Sequence, residues 1–82
     1  MNQKIKAPFS IGSTSRRTGV SQKRIRHWEA RKYIPEATRV VCGDMAYRYF
    51  TADQVEIIRK IKSYLDKGYT LAHASKMARN GK

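Results

Sequence analysis

The first third of the chain alternates capping residues with short segments that have helical spacing. Ser10 is a suitable N-cap, and we expect a short helix over residues 12–18. Gly19 then allows a tight turn, because glycine adopts positive φ without steric cost. Ser21 is a second N-cap, and the pattern after it predicts a helix over residues 22–32.

The remainder of the chain changes first to strand-like and then back to helical patterning. Residues 38–50 are rich in β-branched and aromatic side chains around Gly43-Asp44, which predicts a short β-hairpin. The segment Thr51–Gln54 is a capping box for a helix that runs through about residue 66. A last helix is expected over residues 71–79, capped by Thr70. The predicted fold is therefore mainly α with a small β-hairpin.

The second predicted helix has two chemically different faces. At 100° per residue, Ile25 and Trp28 fall together with Glu29 beside them, which is typical of a stripe facing a core. The opposite face carries Lys23, Arg26, His27 and Ala30. We therefore expect Trp28 in the core and a cationic outer surface.

Length and charge narrow the function. With 82 residues the chain fits one domain, and a deep, water-excluded pocket is hard to build at this size. No carboxylate pair, nucleophile–base set or phosphate loop is recognisable, so we expect no enzyme activity. The net charge is +12 and the pI about 10.4, which favours a polyanionic partner. Residues 1–32 alone carry a net charge of +8, so the binding surface is expected there.

Cysteine usage and hydropathy add exclusions. Cys42 is the one cysteine, so no intrachain disulfide forms, and no Cys/His spacing indicates a metal site. Nothing in the sequence calls for a cofactor. No apolar run approaches the roughly 20 residues of a membrane helix. We expect a cytoplasmic protein located at the nucleoid.

Two short helices, a glycine turn and a basic second helix predict a helix-turn-helix. The outward Lys23, Arg26 and His27 are donors suited to guanine or phosphate. Ser21 and Gln22 lie at the helix N-terminus, where backbone N–H groups favour phosphate. The hairpin would act as a wing, with one or both of its tyrosines packed onto the helices and Arg48 pointing outward.

Several short motifs occur in an order that is more specific than any one of them. They are Ile11-Gly12, Thr18-Gly19-Val20-Ser21, Ile25-Arg26-His27-Trp28-Glu29, Ile34-Pro35, Arg39, Tyr47-Arg48-Tyr49-Phe50 and Gly68-Tyr69-Thr70-Leu71. Together they resemble the N-terminal winged helix-turn-helix domain of MerR-type transcription regulators. The resemblance extends from about Phe9 to Met77.

This resemblance implies sequence-specific binding of double-stranded DNA, and distortion of the operator by a dimer. It places the second helix, around Arg26 and His27, in the major groove and the hairpin arginine, Arg48, on the backbone. The expected DNA-binding residues are Arg16, Arg17, Ser21, Gln22, Lys23, Arg24, Arg26, His27, Arg39 and Arg48. The domain is expected to cover residues 9–79, between a flexible N-terminus at 1–8 and a tail at 80–82.

The sequence departs from the family pattern at four positions. His27 and Trp28 stand where two tyrosines are usual, and Trp28 resembles the variant found in cobalamin-dependent and related light-responsive members, a group that also binds antirepressor proteins. Thr14 replaces a leucine, which predicts looser packing of the first helix. Lys32 replaces a common glycine, so the turn after the second helix is expected to differ.

Two alternative functions stay open at this point. An excisionase-like protein that bends DNA would have a similar winged helix and a similar length. A basic interaction module that binds an acidic antirepressor partner would also fit the charge. The predicted helix 71–79 is too short for a coiled coil, so we expect a monomer in dilute solution that dimerises, if at all, on DNA.

Overall fold

Four helices and a small antiparallel sheet make up residues 8–80, the part of the chain described by the computed structural model. The elements are β1 (Phe9–Ser10), α1 (Ile11–Thr18), α2 (Gln22–Ala30), β2 (Thr38–Cys42), β3 (Met45–Phe50), α3 (Ala52–Asp66) and α4 (Leu71–Asn80). This order is a winged helix-turn-helix, as predicted. The expected flexible N-terminus lies outside the described residues except for Pro8. The boundaries of the domain stay a prediction.

Local capping chemistry fixes where the helices begin. The Ser10 hydroxyl accepts from the Ser13 N–H at 3.1 Å, and the Ser21 hydroxyl accepts from the Arg24 N–H at 3.2 Å. Thr51 and Gln54 form the complete capping box that their spacing predicts. Each cap satisfies an N–H that has no partner inside its own helix, so all of these starts could be located from sequence.

The predicted end of α2 was wrong by two residues. The helix ends at Ala30, and Lys32 adopts a left-handed φ of 66°. The Tyr33 N–H donates to the Trp28 carbonyl at 2.8 Å and the Lys32 N–H to the Glu29 carbonyl at 3.0 Å, which is a Schellman motif. A lysine thus occupies the position that such a motif normally gives to glycine, and the turn keeps the glycine conformation.

The sheet contains one strand that the sequence pattern did not predict. Its order is β1-β3-β2, and Phe9 pairs with Phe50 and Ser10 with Tyr49. β1 has only two residues, too few for a recognisable alternation. The hairpin was predicted correctly, with Gly43-Asp44 as its turn.

The core joins the helix-turn-helix to the wing. Trp28, Ile25 and Phe50 are completely buried or nearly so, and Ile58 and Ile61 of α3 lie in the same cluster. The prediction that Trp28 is a core residue is confirmed, with 1% of its surface exposed. The indole thus fixes the side on which α2 faces inward, and with it the side that faces solvent.

Thr14 is a buried polar residue in this core. It is fully buried, and its hydroxyl oxygen has no hydrogen-bond partner within residues 8–80. The neighbouring buried threonine, Thr18, differs, because its hydroxyl donates to the Thr14 carbonyl at 2.8 Å and accepts from the Val20 N–H at 3.2 Å. Thr14 therefore carries a desolvation cost that Thr18 does not.

Candidate nucleic-acid interface

The outer surface of α2 is cationic, as its wheel predicts. Ile25, Trp28 and Glu29 are the buried residues of this helix. The exposed residues include Lys23, Arg26, His27 and Ala30. Because the same face combines two arginine or lysine side chains with a small residue, an α-helix of this kind can approach a base-pair edge closely.

The N-terminus of α2 adds polar groups to this surface. Ser21 and Gln22 are both exposed there, as expected. The Gln22 amide nitrogen is 3.6 Å from the place where a Cβ on Gly12 would be, and Arg16 Nη1 is 3.8 Å from it. Glycine at position 12 thus leaves room for two donors from different helices to come together at the start of α1.

Two of the predicted arginines are engaged with aromatic rings. The Arg17 guanidinium lies 4.6 Å from the centre of the Phe9 ring, and that of Arg24 lies 5.4 Å from the Trp28 ring. Both arginines are exposed. Cation–π stacking limits their motion but leaves their N–H groups accessible to a phosphate.

The predicted direction of the Arg48 side chain on the wing was wrong. Phe50 is buried, and side chains alternate along a strand, so Arg48 shares the inward face of β3 with Phe50. The prediction turned Arg48 outward and packed one or both tyrosines onto the helices, whereas Tyr47 is 45% exposed and Tyr49 is half-buried on the face opposite Arg48. The reason is a carboxylate on α2 that attracts the arginine.

That carboxylate is Glu29, whose side chain is only 5% exposed. Arg48 Nε donates to Glu29 Oε1 at 2.8 Å, and the Ala37 N–H donates to Oε2 at 2.7 Å. Arg39 Nη1 approaches Oε2 at 3.3 Å. Arg39 and Arg48 are cross-strand partners, so their like charges repel each other. The carboxylate of Glu29 compensates this repulsion, because both arginines lie close to it.

Glu29 is ionised in this environment. Burial alone would raise the pKa of Glu29, but the Ala37 N–H, the hydrogen bond from Arg48 and the positive charge of Arg39 outweigh it and hold that pKa below its ordinary value. Sequence reasoning missed this residue as a member of the site. The available signal was the position of the lone acid of residues 1–32 on the buried stripe beside Ile25 and Trp28.

Glu29 brings part of the predicted set together. Arg26, Arg39 and Arg48 line one cleft between α2 and the wing. The other seven predicted residues, Arg16, Arg17, Ser21, Gln22, Lys23, Arg24 and His27, are exposed on α1, the turn and α2. The predicted set is therefore divided between this cleft and the exposed side of the helix-turn-helix.

Within residues 8–80, no three His, Cys, Asp or Glu side chains are grouped so that they could hold a metal ion. None of the described helices is long and apolar enough to span a bilayer.

A helix-turn-helix with a cationic second helix and a hairpin wing defines a class of DNA-binding proteins. The family model for the MerR HTH family of regulatory proteins matches residues 9–81 of this chain. The chain belongs to this family of DNA-binding transcription regulators. No curated protein matches the sequence.

Proposed function

We propose that this protein binds double-stranded DNA sequence-specifically, with α2 in the major groove and the β2–β3 wing against the flanking backbone. The observation that carries the proposal is the division of α2 into a face anchored by Ile25 and Trp28 and an outer face with Lys23, Arg26 and His27 exposed. The major groove is wide enough to admit an α-helix, and the donors on its outer face can then reach the base edges.

The two parts of the surface have different roles in this proposal. Arg26 is exposed near the middle of α2 and reads a base edge. Arg39 and Arg48 are tied to Glu29 at the base of the wing, so they contact phosphate groups and set the register of the helix. Base contacts specify the sequence, whereas phosphate contacts supply most of the affinity.

The experiment is an anisotropy titration with a duplex selected from a random-sequence pool and with an unselected duplex. If about four to six phosphates are contacted per protomer, log K falls against log[salt] with a slope of about −4 to −5. Arg26→Ala costs about 1–3 kcal/mol on the selected duplex and less on the unselected one. Arg59→Ala, an exposed arginine on α3, is the matched control and leaves both affinities unchanged.

A flat salt response, or failure of the pool to converge on any sequence, would contradict sequence-specific DNA binding. Equal losses on both duplexes would make Arg26 a phosphate contact. Selected sites that repeat in one orientation, together with strong bending of the duplex, would favour an architectural role instead. Binding of an acidic peptide with no DNA affinity would favour the interaction-module alternative.

A further inference from the structure

A cleft opens between the C-terminal half of α2, the base of the wing and the end of α4. Arg26, Lys32, Arg39, Arg48 and Arg79 supply five positive charges to its lining, and two glutamates supply negative charge. Its volume is about 390 Å³. A water molecule takes up ~30 Å³ in the liquid, so a cleft of this size has room for a tetrahedral anion with part of its hydration.

Hydrogen bonds to acceptors within the protein fix the positions of two of these arginines. Arg48 Nε donates to Glu29 Oε1 at 2.8 Å, and Arg79 Nη1 donates to the Lys32 carbonyl at 2.8 Å. A guanidinium has N–H donors on more than one edge, so each arginine keeps donors that these bonds do not use. Because the side chains are already positioned, less conformational entropy is lost when an anion binds.

The negative charge of Glu29, which lines the cleft, is compensated by partners on both of its oxygens. One of its oxygens accepts from Arg48, and the other accepts from the Ala37 N–H and lies beside Arg39. The carboxylate is almost fully buried, whereas the side chain of Arg48 is 30% exposed and Arg79 is exposed. The cleft keeps a net positive charge, because its five cationic side chains outnumber Glu29 and Glu36.

We propose that this cleft binds one phosphate group, held by Arg48 from the wing and Arg79 from α4, with Glu29 as the residue that positions Arg48. Where the phosphate is a diester of the DNA backbone, this inference rests on the proposed function. A free phosphate offers the same chemistry. Arginine suits either ligand, because its planar fork can donate two parallel hydrogen bonds to phosphate oxygens.

The first test removes Arg79, which lies near the C-terminal end of α4 and was not among the residues expected to bind DNA. Arg79→Ala lowers duplex affinity by about tenfold, the lower end for a charge-assisted hydrogen bond. It also makes the salt slope less steep by about 0.9, the change expected for one lost phosphate contact. Arg59→Ala is again the control, and equal behaviour of the two variants would overturn the proposal.

The second test separates charge from geometry at Arg48. Lysine keeps the charge but presents its three donors from one nitrogen atom, so it lacks the planar fork by which arginine reaches Glu29 along one edge and phosphate along another. Arg48→Lys therefore loses nearly as much duplex affinity as Arg48→Ala, whereas Arg59→Lys, on α3 and outside the cleft, keeps wild-type affinity. Wild-type affinity in Arg48→Lys would contradict the proposal. Far-UV circular dichroism shows whether each variant is folded. If Arg48→Lys does not fold, the Arg79→Ala measurement decides the proposal.

The role of Glu29 has its own readout. Glu29→Gln lowers duplex affinity in the wild-type background but has little further effect in Arg48→Ala, because the carboxylate acts through that arginine. Additive losses in the double variant would mean that Glu29 does not position Arg48. Thermal unfolding of the same variants shows whether any loss of affinity follows from loss of folded protein.

The source of the phosphate is identified by NMR of the arginine side chains. Inorganic phosphate that shifts the Nε–H signals of Arg48 and Arg79 and competes with duplex shows a small-anion site. Shifts with duplex alone identify the DNA backbone as the source. If neither ligand shifts these signals, the cleft proposal fails, even where duplex binding through α2 stands. Conversely, if inorganic phosphate shifts these signals but the protein has no affinity for duplex, the proposed function fails and the cleft proposal stands.

Discussion

Single residues in this domain hold conformations that their side chains do not favour. Lys32 takes a left-handed φ of 66° although it has a Cβ, because two Schellman hydrogen bonds and the buried Ile34 that follows determine the turn. The equivalent turn after α3 uses Gly68, with φ of 103°. The same motif is therefore built once with glycine and once with lysine.

This contrast predicts the effect of Lys32→Gly. The left-handed conformation costs a residue with a Cβ about 1–2 kcal/mol, and the greater freedom of glycine in the unfolded chain offsets about 0.4–1 kcal/mol of that. We expect the free energy of unfolding to rise by about 1 kcal/mol, measured by urea denaturation. Lys32→Ala removes the same charge but keeps the Cβ, so it should give no such gain. An equal gain in both variants would assign the effect to charge.

The buried hydroxyl of Thr14 gives a second prediction at this scale. Thr14→Val keeps the shape of the side chain and removes an oxygen that has no partner within the described residues. Since an unsatisfied buried polar group costs about 1–3 kcal/mol, we expect a stabilisation of about 1–2 kcal/mol. Thr18→Val makes the same chemical change where the hydroxyl has two partners, and it should be destabilising. Destabilisation by both substitutions would show that the Thr14 hydroxyl is satisfied in solution.

At the scale of elements, the joint between α2 and the wing depends on Glu29 and its three donors. The pKa of Glu29 is held below the ordinary value, because the Ala37 N–H and the two arginines outweigh the effect of burial. The folded state therefore binds the proton of this carboxyl less tightly than the unfolded state does. It follows that the joint stabilises the fold above the ordinary glutamate pKa of about 4.3 and that this contribution is lost as the pH falls through the lower, folded-state value.

The corresponding prediction concerns acid unfolding. The free energy of unfolding of the wild type should fall as the pH is lowered from about 5 toward about 3. Glu29→Gln should be less stable at neutral pH by about 1–3 kcal/mol, since the ion pair with Arg48 becomes a hydrogen bond to an uncharged amide oxygen. It should also show a shallower fall in acid. Urea denaturation at several pH values measures both quantities, and parallel pH profiles would mean that other carboxyls control acid unfolding.

The elements that could be predicted from sequence are those determined by neighbouring residues. The caps at Ser10, Ser21 and Thr51 involve partners three positions away, and the hairpin turn is two residues long. The inward orientation of Arg48 depends on Glu29, nineteen positions earlier. The alternation along the strand therefore predicted which residues share a face, but not which face points inward. The short strand β1 exists only through its pairing with β3 and has no pattern of its own.

At the scale of the whole molecule, the dominant property is the net charge of +12. Two copies approaching each other in water meet a positive field, which is strongest where residues 1–32 contribute. A polyanion removes this barrier by neutralising the same side chains that bind it. The charge that attracts nucleic acid therefore also opposes self-association in its absence.

The oligomeric state of the 82-residue chain tests this balance. α4 has 10 residues, whereas a coiled coil needs about three heptads or more. We expect a monomer by sedimentation equilibrium in dilute solution, and weak half-site binding toward the non-specific range of about 10⁻⁴–10⁻⁶ M. On a duplex with two half-sites one helical turn apart, the second copy should bind more tightly than the first, because the DNA neutralises both. A stable dimer without DNA would instead reveal an interface among the half-buried apolar side chains of α3 and α4, such as Ile57 and Tyr64. Substituting Tyr64 with lysine should then restore the monomer.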